Sequence, residues 1–208
     1  MELDQVLKGR RTIRKFDKKE VPIEFISECL DTARYAPNSG NVQNYRFTII
    51  RNKDIITKIS KICEGQEWIA KAPVLVIVCS EMEQIKRLYG IRGEALYSIQ
   101  NCAVAIQNIL LKAYELKLGS AWIGTFDEEK LKILINIPET SRPQAVIAFG
   151  YYDEKDIEEL EKEPLDNFVY FEQYGKREDK TLKILPFSNT IKRITGKIGD
   201  KISYKKKS

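Results

Sequence analysis

Histidine is absent from all 208 residues. That absence removes Ser-His-Asp and Cys-His catalysis, histidine-containing zinc sites and imidazole proton relays together, so any chemistry rests on other groups. Cysteine is scarce and scattered. Cys29, Cys63, Cys79 and Cys102 lie inside apolar stretches with no C-x-x-C pair, which speaks against zinc and thioredoxin-like patterns and for buried free thiols. Long hydrophobic runs are also missing: none approaches the ~20 residues needed to cross a bilayer. The start of the chain, with Glu2 and Asp4, does not have the basic-then-apolar layout of a secretory signal, and a cytoplasmic location is expected.

What is present is an ordinary globular composition, 43% hydrophobic and 31% charged, long enough for one substantial core. The net charge of +5 is unevenly spread. Residues 176–208 carry 11 basic and 3 acidic side chains, a net +8, which leaves residues 1–175 at −3. A nucleic-acid binder would need its basic stripe on the folded surface with aromatic platforms beside it, and here the excess is confined to one end, so no nucleic-acid partner is expected.

Leu3, Val6 and Leu7 have helical spacing up to Gly9, and Arg10 to Phe16 reads as a connecting segment. Pro22 suits the start of a helix carrying Ile23, Ile26, Leu30 and Ala33 on one face until Ala36-Pro37 stops it. Arg46 to Arg51 reads as a strand. Pro73 to Ser80 (PVLVIVCS) is a continuous apolar run, as expected of a central strand covered on both faces. From Arg92 to Leu118 the stripe Ala95, Ile99, Cys102, Ile106, Ile109, Ala113 and Leu116 predicts one long helix ended by Gly119. Its extra apolar positions suit packing within the subunit and against a second copy. Thr125 or Asp127 can cap a helix to about Ile135, and Ala145 to Tyr151 reads as a further strand. Asp153 to Glu163, with seven acids against two lysines, is a solvated linker or exposed helix before an aromatic stretch. Together these predict a helix-covered sheet of α+β type.

Three segments concentrate chemistry. Arg10-Arg11-Thr12-Ile13-Arg14 sets three guanidinium groups and a hydroxyl within five residues, a match for phosphate oxygens or a solvated basic patch. Pro37-Asn38-Ser39-Gly40-Asn41-Val42-Gln43 is a turn crowded with amides, able to satisfy the alternating donors and acceptors of a heteroaromatic edge or simply to form a loop. Gly119-Ser120-Ala121-Trp122-Ile123-Gly124 brackets a short strand with glycines. Close backbone approach to a ligand is one reading, and a tight helix-to-strand turn with Trp122 in the core is the other.

In this order and at these separations, RRTIR, PNSGNVQ and KLGSAWIG resemble the nitroreductase family of flavoenzymes, over about residues 2 to 175. The resemblance implies a nitroreductase-like α+β domain through residue 175, with 176–208 as a basic C-terminal extension, and an intertwined homodimer holding FMN at its interface. It implies NADH or NADPH as donor and a small acceptor such as a nitroaromatic or quinone; some relatives carry out dehalogenation or dehydrogenation instead. Carried over by position, Arg10, Arg11, Thr12 and Arg14 hold the phosphate and ribityl end. Pro37, Asn38, Ser39 and Asn41 reach the flavin bound mainly by the partner chain. Ile123 and Gly124 bring backbone N–H groups toward N5, and Gln66 lies near the pyrimidine edge. Lys162 is the one basic residue where relatives often have two. Asn44-Tyr45 departs from a frequent Pro-Trp pair. No catalytic side chain and no metal ligand is implied.

In the extension, Ile191, Ile194, Ile198 and Ile202 recur at helical spacing among lysines and an arginine. This is the pattern of an amphipathic helix drawn weakly to an anionic membrane surface, or of a tail packing its isoleucines on the dimer.

Overall fold

The computed structural model describes residues 1–157 and 161–177, so the isoleucine stripe of the extension lies outside the described residues. The chain divides into two units, Met1–Ile157 and Glu158–Ser208, and the elements below belong to the first.

Four antiparallel strands, β1 (Tyr45–Ile50), β2 (Val74–Glu81), β3 (Gly119–Ile123) and β4 (Ser141–Gly150), form one sheet in the order β1-β2-β4-β3. The apolar run PVLVIVCS is central, as its composition requires. Val74, Val76 and Val78 point to one core, and Leu75, Ile77 and Cys79 to the other. Strand geometry sends successive side chains to opposite faces, so a strand covered on both sides must be apolar throughout.

The first core is closed by α2 (Ile23–Asp31) and α5 (Ser98–Glu115), through Ile26, Cys29, Cys102, Ile106, Ile109 and Ala113. The second is closed by α3 (Lys53–Ile62) and α6 (Glu128–Ile135), through Ile56, Ile59 and Leu131, with Ile13 and Phe16 completing it. Asn52 caps α3, its Oδ1 accepting from the backbone N–H groups of Asp54 and Ile55, and Asp127 caps α6 by accepting from Lys130 N–H. Helix α1 (Leu3–Gly9) precedes them, and α4 (Met82–Arg92) follows β2 directly. The sequence reading assigns nothing to α3 or α4. The α+β architecture it anticipates is the one found. All four cysteines are buried free thiols, and burial pushes Cys29 and Cys102 up to about 12 and Cys63 and Cys79 to about 11.

Two expectations for the long helix need correction. It does not run unbroken from Arg92: Gly93–Tyr97 form a π turn, and the α-helix starts at Ser98. Hydrophobic spacing cannot tell an α turn from a π turn, which differ in hydrogen-bond partner and not in composition. Gly119 does not end it either. Lys117 adopts the left-handed conformation with φ 61°, and Leu118 N–H returns to Ala113 O at 2.8 Å, closing the helix before β3 begins. Ile23, Ile99 and Ala95 of the anticipated apolar stripes are exposed in the single chain. Trp122 is 41% exposed and not a core residue.

Candidate functional site

The three chemistry-bearing segments fall into two groups. Thr12 forms a parallel bridge with Ser120, and Ile13 N–H donates to Ser120 O at 3.0 Å, so RRTIR lies along the start of GSAWIG. Extended backbone alternates side chains. Ile13 enters the core, while Thr12 and Arg14 on the other side are exposed and Arg10 is half-buried.

Arg11 behaves differently from its neighbours. Its Nη1 donates to the carbonyl oxygens of Lys8 and Arg10, the first of them in the last turn of α1, where a cation complements unpaired carbonyls and the helix dipole. Its Nε is buried with no protein partner. Thr12 and Arg14 are therefore exposed, with Arg10 half-buried beside them, and Arg11 braces the turn that carries all three.

Ile123 is buried as the last residue of β3, and Gly124 is exposed just beyond it. The loop after Gly124 is held by Asp127 N–H donating to Ile62 O at 3.1 Å and by Arg142, which grips Glu128 through Nε and Nη2 at 2.9 and 2.8 Å. That pair holds the Glu128 carboxyl below its usual range. Gln66, half-buried in the turn after α3, lies four residues past this Ile62 tie, and its neighbour Trp68 packs against Phe16 at 6.3 Å between ring centroids.

The amide-rich turn is elsewhere. It folds as a 3-10 turn at Ser39–Asn41 with Gly40, Asn41 and Gln43 all at positive φ. Asn38 spends its amide inside the loop, Nδ2 donating to Ala36 O and Oδ1 accepting from Gln43 N–H. Ser39 donates through both N–H and Oγ to Asn101 Oδ1. Asn101 Nδ2 donates in turn to Asn44 Oδ1 at 2.8 Å, and Asn44 Nδ2 donates to Ser80 Oγ at 2.7 Å. Asn44 and Asn101 are 0% and 2% exposed, so this chain of side chains fixes the loop to β2 and α5 from inside. Asn44, a departure from the family pattern, is absorbed in this way. Pro37 and Asn41 are exposed. Asn101 was not legible as a site residue; its one signal is a polar side chain beside the apolar stripe of α5.

Sheet register separates the two groups. The turn leads into Tyr45, which pairs with Ser80, whereas Ser120 pairs with Phe149 and Phe149 with Val74. They occupy diagonal corners: roughly 20 Å apart along the strands and roughly 14 Å across three strand spacings. One chain does not bring RRTIR and its own amide turn onto one ligand. Lys162 is exposed in the second unit.

The model of the nitroreductase family matches residues 7–66 and 63–151. A Methanothermobacter thermautotrophicus protein named "Putative NADH dehydrogenase/NAD(P)H nitroreductase" is 34% identical over 155 residues, covering 73% of this chain and 78% of its own. An FMN reductase [NAD(P)H] of Bacillus subtilis is 24% identical over 163 residues, 72% of this chain and 66% of its own. The crystal structure of a nitroreductase family protein from Streptococcus pneumoniae superposes with a TM-score of 0.74 at 21% identity, over 82% of this chain and all of that one. The fold is that of the solved structure, and with the family model matched over more than half of its length the chain belongs to the nitroreductase family.

Proposed function

We propose that this chain is an NAD(P)H-dependent FMN oxidoreductase that works as an intertwined homodimer and reduces small flat acceptors of the nitroaromatic or quinone type. The observation that carries the reading is the Thr12–Ser120 bridge. It sets the guanidinium groups of Arg10 and Arg14 and the Thr12 hydroxyl beside a glycine-flanked strand end, with the amide turn on the far corner of the same sheet. Two chains related by a two-fold axis can place the turn of one against the arginine segment of the other, giving two equivalent sites.

The residues fit FMN. Arg10 and Arg14 offer paired planar donors for a phosphate and Thr12 a hydroxyl donor. The buried unpaired Nε of Arg11 is a donor in the same segment that lacks a protein acceptor. Gly124 leaves backbone uncovered where a ring would approach, and the half-buried Gln66 is the amide assigned to the pyrimidine edge. Asn41 and Pro37 face outward from the turn, available to a partner's ligand. Ile99 on the exposed flank of α5 and an open groove of about 430 Å³ lined by Leu3, Val6, Tyr35 and Leu111 supply apolar surface for the second subunit.

FMN held by these residues would supply two-electron redox chemistry between a reduced nicotinamide and the acceptor. The chain's part is to hold, orient and shield. Reduction of a quinone consumes NAD(P)H and one proton from solvent and yields NAD(P)⁺ and the hydroquinone, so no side chain has to act as a proton relay. This suits a protein without histidine.

The test is direct. Purified protein should be yellow and dimeric by sedimentation, release FMN on denaturation, and oxidise NADH or NADPH with menadione or a nitroaromatic. Colourless monomer that takes up no added FMN would sink the reading.

A further inference from the structure

The aromatic and basic side chains at the junction of α4 and α5 form a second constellation, unused by the flavin reading. Gly90 interrupts α4 at φ 61°, ψ −149°, a region open essentially to glycine, and the π turn Gly93–Tyr97 follows. A regular helix would set Tyr89 and Tyr97 roughly 80° apart around its axis. The two irregular turns instead bring the rings edge to face, with centroids 5.4 Å apart and planes at 79°.

Arg92 lies on this pair. Its Cζ is 5.6 Å from the Tyr97 ring centroid, and its Nε donates to Tyr97 Oη at 3.1 Å. This contact ties the guanidinium through one nitrogen, and among the described residues Nη1 and Nη2 of this exposed side chain have no protein partner. Among the described residues no carboxylate pairs with Arg92. The nearest acid in sequence, Glu94, is held by Lys86 at 2.8 Å. Leu88, Ile91 and Leu96 are exposed beside the cluster.

The cluster also touches the amide turn: Tyr89 Oη stands where a Cβ on Gly40 would be. The turn that reaches the partner's flavin therefore carries this aromatic and cationic ledge with it.

We propose that Arg92, braced on Tyr97 beside the Gly40 turn, binds the anionic substituent of a flat aromatic acceptor, making the enzyme selective for aromatic carboxylates over their neutral counterparts. The proposal rests on the flavin reading above. A guanidinium with two free parallel donors matches a carboxylate, and the tyrosine rings and exposed leucines match the apolar ring that bears it. The phosphates of the nicotinamide donor are the other anion that could meet Arg92, and the experiment separates the two.

The experiment uses the full chain loaded with FMN and a matched acceptor pair, 4-nitrobenzoate and its methyl ester. Wild type should show the lower KM for the carboxylate, and Arg92→Gln should reduce the carboxylate-to-ester ratio of kcat/KM at least tenfold. Arg92→Lys should restore part of that ratio. In calorimetry, benzoate, which is not reduced, should bind the wild type at least tenfold more tightly than Arg92→Gln. An unaltered ratio with unaltered benzoate binding overturns the proposal, as does a rise confined to the KM for NADH or NADPH. In both cases turnover of the ester leaves the flavin reading standing. Protein that binds no flavin and turns over neither acceptor removes that reading, and this one with it.

Discussion

Gly119 stands opposite Gly150 in the β3–β4 ladder, and the segment after α1 lies over both. A Cβ on Gly119 would come within 3.0 Å of Ile13 Cβ and 2.8 Å of the Tyr152 ring. A Cβ on Gly150 would come within 2.7 Å of the Phe16 ring and 2.9 Å of Pro73. The two bare positions let Ile13 and Phe16 settle against the sheet, and that fixes where Thr12 and Arg14 emerge.

Filling this cleft should disturb the phosphate end of the site. Gly119→Ala or Gly150→Ala overpacks a close contact, which costs about 1–3 kcal/mol and lowers the melting temperature. Because Ile13 and Phe16 must move, FMN affinity should fall together with stability. Differential scanning calorimetry and flavin titration measure both, and a folded variant with intact FMN affinity would show that the segment's depth does not set the site.

The arginines should separate by role. Arg10→Ala and Arg14→Ala remove guanidinium donors and should weaken FMN binding about 10- to 100-fold, or roughly 1.4–2.8 kcal/mol. Riboflavin, which has no phosphate, should change little. Arg11→Ala removes the brace on the carbonyls ending α1 and should cost about 1 kcal/mol of stability, read as a lower urea midpoint. Equal losses for FMN and riboflavin in the first two variants would dismiss the phosphate assignment.

Asn101→Ala cuts the only side-chain link between Ser39 and Asn44 found among the described residues. It leaves Asn44 Oδ1 short of a partner in a buried setting, at about 1–3 kcal/mol, and removes the acceptor of the half-buried Ser39 N–H. Chemical denaturation should show this loss. Hydrogen exchange should show faster opening of residues 38–44, and unchanged exchange there would mean that the turn is fixed by other contacts.

Burial controls the pH response of the thiols. Their folded pKa values of about 11 to 12, raised by desolvation from an ordinary 9.0, exceed the unfolded value. Stability linked to them is therefore complete below pH 9 and declines as pH rises from about 9 to 12, where the unfolded chain ionises first. With no histidine, no side chain of ordinary pKa titrates between pH 6 and 8, so urea midpoints should be level across that window and fall above pH 9. A thiol reagent such as Ellman's should find no reactive cysteine in native protein at pH 8 and all four in guanidinium. Rapid native labelling would contradict the burial.

Legibility differed from element to element for identifiable reasons. β2 was readable because covering both faces of a strand demands an unbroken apolar run. The capped start of α6 was readable as Thr125 or Asp127 because a cap is a local bond, and the structure places it at Asp127. The π turn before α5 was not, since Ala95, Leu96 and Ile99 continue the same periodic pattern across it. The closure of α5 at Lys117 was not either, because a lysine in the left-handed conformation is fixed by the Leu118–Ala113 bond and the start of β3, and its type does not announce it. Tyr89, Arg92 and Tyr97 carried no pattern that singled them out. Only the breaks at Gly90 and Gly93–Tyr97 make neighbours of them.

By itself the sequence determined the family, the absence of imidazole chemistry, and which residue types could meet a phosphate or a heteroaromatic edge, because these depend on composition and local order. The tertiary structure decided which of those residues share a surface. It set RRTIR against GSAWIG, turned Arg11 inward, and sent the amide turn to the opposite corner of the sheet. Strand order and register produce that division, and they arise from packing between segments far apart in the chain.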